Sequence, residues 1–197
     1  MDMGIKGKTA LICGSSKGLG RGCAEALAAE GVNLVMNART SSNLERTAEK
    51  IRKTYKVEVK TIACDVTTVD GQNKVFDTIS DLDILVTNAG GPPPGMWYDW
   101  EQEDFLAALN ANMLTPISFI KAYLPGMIAQ GWGRIVNITS QSVKAPIATL
   151  GLSNAARTGL TGYVAGTARQ VASKGVTINN LLPGVHDTDR IVSIDQS

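Results

Sequence analysis

Thr9-Ala10-Leu11-Ile12-Cys13-Gly14-Ser15-Ser16-Lys17-Gly18-Leu19-Gly20 decides the fold. The apolar run Thr9–Cys13 reads as a short buried strand. It stops at a glycine turn, and a helix opens from about Gly18, with Gly31 placed to close it. Side chains in such a turn would hold the backbone away from a phosphate group. Gly14, Gly18 and Gly20 remove them, and the helix beyond offers free N–H groups and a positive dipole end. A plain strand-to-helix joint also uses glycine. The position after an N-terminal strand is what points to a dinucleotide pyrophosphate.

Working outward, the same alternation repeats. Val32–Met36, Val57–Val66, Ile84–Val86, Arg134–Ile138 and Val176–Leu182 read as five further strands, mostly apolar runs. Between them lie helical patterns. The first should bury Leu19, Cys23, Ala26 and Leu27. The second opens on the capping box Ser42-Asn43-Leu44-Glu45 and carries Leu44, Ala48, Ile51 and Tyr55 on one face. A short helix is expected around 75–79, a long one over 101–130 bent by Pro116, and another over 150–172. Strands of this kind alternating with helices predict an α/β fold: a Rossmann-type, doubly wound parallel sheet with helices on both faces. Ligands of such sheets sit at the carboxyl ends of the strands. No repeat or linker divides the 197 residues, so a single dinucleotide-binding domain over 1–197 is expected.

Composition narrows the function classes. A net charge of +1 gives no electrostatic footprint for nucleic acid or an acidic membrane surface. Cys13, Cys23 and Cys64 show neither paired spacing nor a histidine cluster, which argues against metal ligation and a disulfide framework. Reduced thiols in a cytoplasmic protein are the simpler reading. The N-terminal apolar run is too short for a signal segment or a membrane span.

The end of the second strand bears on which dinucleotide is bound. An NAD site wants a carboxylate there for the ribose 2′-hydroxyl, whereas this chain reads Asn37-Ala38-Arg39. A guanidinium suits a 2′-phosphate, and Lys17 adds a second cation in the turn. Solvated surface charges are the ordinary alternative for both residues. Placed together at this crevice, they favour NADP over NAD.

At this point the chain resembles the short-chain dehydrogenases/reductases, in particular the 3-oxoacyl-acyl-carrier-protein reductase-like group. Gly14-x3-Gly18-x-Gly20, with Ser16, Lys17 and Leu19 between, is similar to that family's glycine motif. Asp65-Val66 resembles its adenine-contacting pair, and Asn88-Ala89-Gly90 its signature after the fourth strand. Asn112 resembles the helix asparagine that supports a proton-relay water, and Ser140 falls on the catalytic serine. Pro183-Gly184-x3-Thr188 looks like the segment whose threonine meets the nicotinamide carboxamide. The resemblance runs from about residue 5 to 188. It implies hydride transfer between NADP and a small carbonyl or secondary alcohol, in a homodimer or homotetramer built on the helices near 101–130 and 150–172.

The resemblance breaks at one place. The family needs a tyrosine acid with a lysine four residues on, the lysine lowering the tyrosine pKa and holding the nicotinamide ribose. Thirteen positions past Ser140 stands Ser153, and four further Arg157; no Tyr-x3-Lys occurs in the chain. Arg157 keeps a charge for ribose hydroxyls yet cannot give up its proton, with a pKa above about 12. Ser153 is a far poorer acid than a tyrosine at about 10. Tyr163 lies ten residues beyond, ~15 Å along a helix. Tyr98 is expected to pack beside Trp97 and Trp100, and His186 to stay solvated. Catalysis therefore falls to Ser140, Ser153, Arg157 and Asn112, with Ser153 meeting substrate or water. A catalytically silent NADP-binding sensor or partner subunit is the competing reading. Family members continue past this point, so the chain reads as a fragment or a truncated form, with the sixth strand's edge uncovered.

Overall fold

The computed structural model describes residues 2–187. β1 (Thr9–Ile12) leads through the glycine turn into α1 (Gly18–Ala29). The buried face of α1 is Gly20, Ala24 and Ala28, one position off the expected stripe. Leu19, Cys23 and Leu27 flank it half-buried, and Ala26 is exposed. Small residues on the contact line let the helix lie close to the sheet. Gly31 closes the helix at φ +76°, its N–H donating to the Ala28 carbonyl at 3.0 Å.

β2 (Asn33–Ala38) follows, then α2 (Ser41–Tyr55). The expected capping box at Ser42 does not form. The helix starts earlier, with Thr40 as N-cap and no side chain capping it. Glu45 instead pairs with Arg52 and accepts from Thr61 Oγ1 at 2.9 Å. Leu44, Ala48 and Ile51 are buried as expected. β3 is Val59–Ala63, shorter than the run 57–66. Asp65 ends it: its Oδ1 accepts from the N–H and hydroxyl of Thr67 at 2.9 and 2.8 Å. Thr68 then caps α3 (Val69–Thr78) by accepting from the Gly71 N–H.

β4 (Ile84–Thr87) leads to a three-part helical stretch, where one long helix was expected. α4 (Gln102–Leu109) starts on a capping box of Glu101 and Asp104. A π-helical turn, Asn110–Leu114, follows, and then α5 (Thr115–Ala129). The irregularity thus lies upstream of Pro116, which sits in the first turn of α5, where a missing N–H is tolerated. β5 (Gly133–Ile138), α6 (Gly151–Val171) and β6 (Val176–Leu181) complete the described chain.

The six strands are all parallel in the order β3-β2-β1-β4-β5-β6. α1 and α2 cover one face, burying Ala24, Leu44 and Ile51 against Ile12, Leu34 and Val86. α5 and α6 cover the other, burying Phe119, Met127 and Leu160 against Leu11, Leu85 and Ile135. On that second face a polar ladder crosses the sheet near its carboxyl edge. Thr87 Oγ1 donates to Asn137 Oδ1 at 2.7 Å, and Asn137 Nδ2 donates to Asn180 Oδ1 at 3.0 Å. The strand order reverses between β1 and β4, and there the crevice for a ligand opens.

Candidate functional site

The glycine turn is held from three sides. Asn88 Nδ2 donates to the Gly14 carbonyl at 3.3 Å, Ser15 N–H to the Asn37 carbonyl at 2.9 Å, and Thr47 Oγ1 to the Ser16 carbonyl at 2.9 Å. Gly14 and Gly18 have φ of +60° and +55°, a region that other residues rarely adopt. A Cβ on Gly14 would sit 2.8 Å from Asn88 Nδ2, and one on Gly20 would run into the Gly14 carbonyl. The turn can be built this tightly only with glycine, and it leaves the α1 N-terminus open, with no acid in its first turn and no capping side chain.

A cleft of about 1500 Å³ begins at this turn and runs along the carboxyl edge of the sheet. Its walls include Gly14, Ser16, Lys17, Gly18 and Leu19 from the turn, Arg39 after β2, and Asp65 and Val66 after β3. Asn88, Ala89 and Gly90 follow β4, and Ser140, Ser153, Arg157, Pro183 and Gly184 lie at the far end. The structure thus gathers most of the sequence-derived site into one groove. The bond to Thr67 holds the Asp65 carboxyl below its ordinary range, with the Arg39 charge adding to the effect. The α2 N-terminus opens beside Arg39 without an acid in its first turn, which reads Ser41-Ser42-Asn43, and Glu45 beyond it pairs with Arg52.

Two expected members sit elsewhere. Gly20 is buried under the turn and not on the cleft wall. Asn112 is buried in the π-helical turn: its Nδ2 reaches the Ala108 carbonyl at 3.4 Å, and its Oδ1 has no partner among the described residues. Thr188 lies outside the described residues. Tyr98 stays exposed, edge-on to Trp97 with ring centroids 5.2 Å apart, and does not line the cleft. Tyr163 packs on the core, and His186 is exposed and lines the cleft.

The far end of the cleft differs from what the sequence suggested. Ser140 follows β5, and its Oγ accepts from the Ser142 N–H at 3.1 Å. Ser153 and Arg157 stand one turn apart on α6, 6% and 8% exposed. Arg157 was expected to hold a ribose. Its Nη1 donates to the carbonyls of Ile138 and Thr139 at 2.8 and 2.9 Å, and its Nε to Ser153 Oγ at 3.2 Å. The guanidinium thus caps the carboxyl end of β5.

Sequence reasoning missed the side wall. Gly95 N–H donates to the Thr149 carbonyl at 2.9 Å, and Trp100 packs so closely on Gly151 that no Cβ would fit there. This joins the loop after β4 to the start of α6, next to Ile147, Thr149 and Leu150 on the cleft wall. The contact joins residues about fifty positions apart, and no local pattern announces it. Among the described residues no group of three potential ligands forms a metal site, and no helix is long and apolar enough to cross a membrane.

Comparison with known proteins bears on this arrangement. The family described as short chain dehydrogenase matches residues 8–197. A 3-oxoacyl-[acyl-carrier-protein] reductase from Vibrio harveyi is 34% identical over 194 residues, 95% of this chain and 77% of the relative. L-sorbose reductase from Gluconobacter frateurii, solved with NADPH and L-sorbose, superposes with a TM-score of 0.90 at 30% identity, covering 95% of this chain and 73% of that one. An NADPH-dependent reductase involved in bacilysin biosynthesis superposes with a TM-score of 0.93 at 28% identity, over 97% and 77% of the two chains. The chain therefore belongs to the short-chain dehydrogenase family, and the relatives it resembles there include 3-oxoacyl-acyl-carrier-protein reductases.

Proposed function

We propose that this chain, acting as one dinucleotide-binding domain, is an NADP-dependent oxidoreductase of the short-chain type that interconverts a carbonyl and a secondary alcohol. The observation that carries the cofactor choice is the end of β2. Arg39 and the uncapped N-terminus of α2 stand together on the cleft wall, a cation beside free N–H donors, which suits a 2′-phosphate. The NADPH named for the sorbose and bacilysin-pathway reductases supports the same choice.

NADP, when bound, supplies or accepts the hydride. The chain's own residues do the rest. The turn from Gly14 to Gly20 holds the pyrophosphate, Asp65 and Val66 flank the adenine, and Asn88-Ala89-Gly90 supports the middle of the cofactor. Pro183 and Gly184 line its nicotinamide end. Ser140 polarises the substrate oxygen, Ser153 meets substrate or water, and Asn112 supports a proton-relay water. Similarity to the Vibrio harveyi reductase suggests a 3-oxoacyl thioester among the substrates. The reduced cysteines and the family resemblance favour a cytoplasmic homodimer or homotetramer.

One observation favours a second reading, a silent NADP-binding subunit: Arg157 Nη1 and Nε are engaged by the β5 carbonyls and by Ser153. Fluorescence titration with NADPH and NADH, followed by NADPH oxidation over ketones and 3-oxoacyl thioesters, separates the readings. Binding with turnover supports the oxidoreductase. Binding without turnover supports the silent subunit, and failure to bind either cofactor sinks both.

A further inference from the structure

The loop after β3 is tied to itself at Asp65. The Thr67 N–H and hydroxyl both donate to Asp65 Oδ1, at 2.9 and 2.8 Å. The Thr68 N–H and hydroxyl donate to the Asp65 carbonyl, at 3.2 and 2.9 Å. Both side-chain bonds thus fall on one carboxylate oxygen. Among the described residues Oδ2 accepts nothing, and Asp65 lines the cleft. One oxygen orients the carboxylate, and the other is left for a donor on a ligand.

The Thr67 carbonyl is held from outside the loop. Asn110 Nδ2 donates to it at 2.9 Å, from forty-three residues further along the chain. Asn110 is itself firmly placed at the head of the π-helical turn. Its N–H donates to the Leu106 and Ala107 carbonyls, and its carbonyl accepts from the Thr115 N–H. Such turns within helices are frequent at functional sites. Ala107, Asn110 and Ala111 share one wall of the cleft, and the short side chains beside Asn110 leave room between that wall and Asp65. Among the described residues, this bond is the one side-chain tie between the π-helical turn and the loop.

We propose that Asn110 is a positioning residue for base recognition: by anchoring Thr67 it holds the Asp65 carboxylate where it accepts from the 6-amino group of adenine. The inference deepens the oxidoreductase reading, and rests on it for the adenine-bearing cofactor. An exposed bond of this kind contributes little to folding. Its effect is on direction, because a carboxylate gains from a ligand N–H only when the two are aligned. A 6-oxo purine presents lone pairs to the same oxygen and is repelled.

The test is fluorescence titration with NADPH and with its hypoxanthine counterpart, in which an oxo group replaces the 6-amino group. The wild type is expected to bind NADPH at least about tenfold more tightly, the range of one hydrogen bond to a charged group. Asn110 is exposed, so its variants keep the wild-type fold. Asn110→Ala cuts the preference about threefold, as for one net hydrogen bond, and Asn110→Gln, which keeps an amide donor, recovers part. Asp65→Ala removes the preference. Adding Asn110→Ala to it changes the ratio no further, the mark of a residue that acts through another. An undiminished preference in Asn110→Ala, or an equal loss for both dinucleotides, overturns the proposal. So does a further change of the ratio in the double variant. A wild type that binds both dinucleotides equally overturns the proposal and leaves the oxidoreductase reading standing, whereas one that binds neither sinks both.

Discussion

The two ends of the cleft are built on opposite principles. At the glycine turn the backbone does the work: close approach, left-handed φ at Gly14 and Gly18, and two uncapped helix N-termini. At the β5–α6 end side chains do it, with a buried guanidinium fastening Ser153 and two strand carbonyls. The first end tolerates almost no substitution, since any Cβ on Gly20 meets backbone. The second has accepted serine and arginine where the family resemblance implies tyrosine and lysine, and the fold has closed around them. A backbone cradle preserves binding, while a side-chain site can change its chemistry under the same sheet.

The largest expected effect breaks the first end. Gly20→Val should abolish NADPH binding and cost several kcal/mol of stability, because backbone would have to move. Retained NADPH affinity in a fluorescence titration would place cofactor binding elsewhere. Next, Ser153→Tyr/Arg157→Lys should raise the rate of NADPH oxidation by roughly a hundred- to ten-thousandfold, the usual worth of a positioned general acid. Its NADPH affinity should stay near the wild-type value, and a double variant that gains binding but no rate would erase the contrast between the ends. Arg39→Ala is expected to weaken NADPH about tenfold, as for one charged hydrogen bond, while NADH binding is unchanged. An equal loss for both cofactors would remove Arg39 from the 2′-phosphate.

The smallest effect concerns Cys13, sealed beneath the glycine turn. Burial, with the Cys64 thiol adding, pushes its pKa up to about 12. The neutral thiol is favoured in the folded state, so its contribution is complete below the ordinary value of about 9 and is lost as pH rises toward 12. Urea midpoints should therefore fall from pH 9 upward, less steeply in Cys13→Ala. Cys13 should also resist a disulfide reagent at pH 8 until the protein unfolds.

Most of the sheet was legible in the sequence, because fully buried parallel strands such as Thr9–Ile12 and Ile84–Thr87 have to be continuous apolar runs. The glycine turn was legible for a steric reason that acts within a few residues. What the sequence hid depends on competition. Ser42 and Glu45 have the spacing of a capping box, but Arg52 and Thr61 offered Glu45 better partners. The π-helical turn at 110–114 has no periodic signature of its own, and Pro116 drew attention to the neighbouring turn instead. Ser153 and Arg157 were recognisable as departures, yet the direction of the guanidinium followed from carbonyls nearly twenty residues away.

The ladder Thr87–Asn137–Asn180 has a consequence for how the chain assembles. Its bonds exist only when β4, β5 and β6 pair with Thr87 opposite Asn137 and Asn137 opposite Asn180. A slip of one residue sends each side chain to the opposite face, stranding a buried amide at about 1–3 kcal/mol. An all-apolar sheet interior would accept such errors cheaply. The ladder thus marks the native register of β5 and β6 with an energetic penalty for any other.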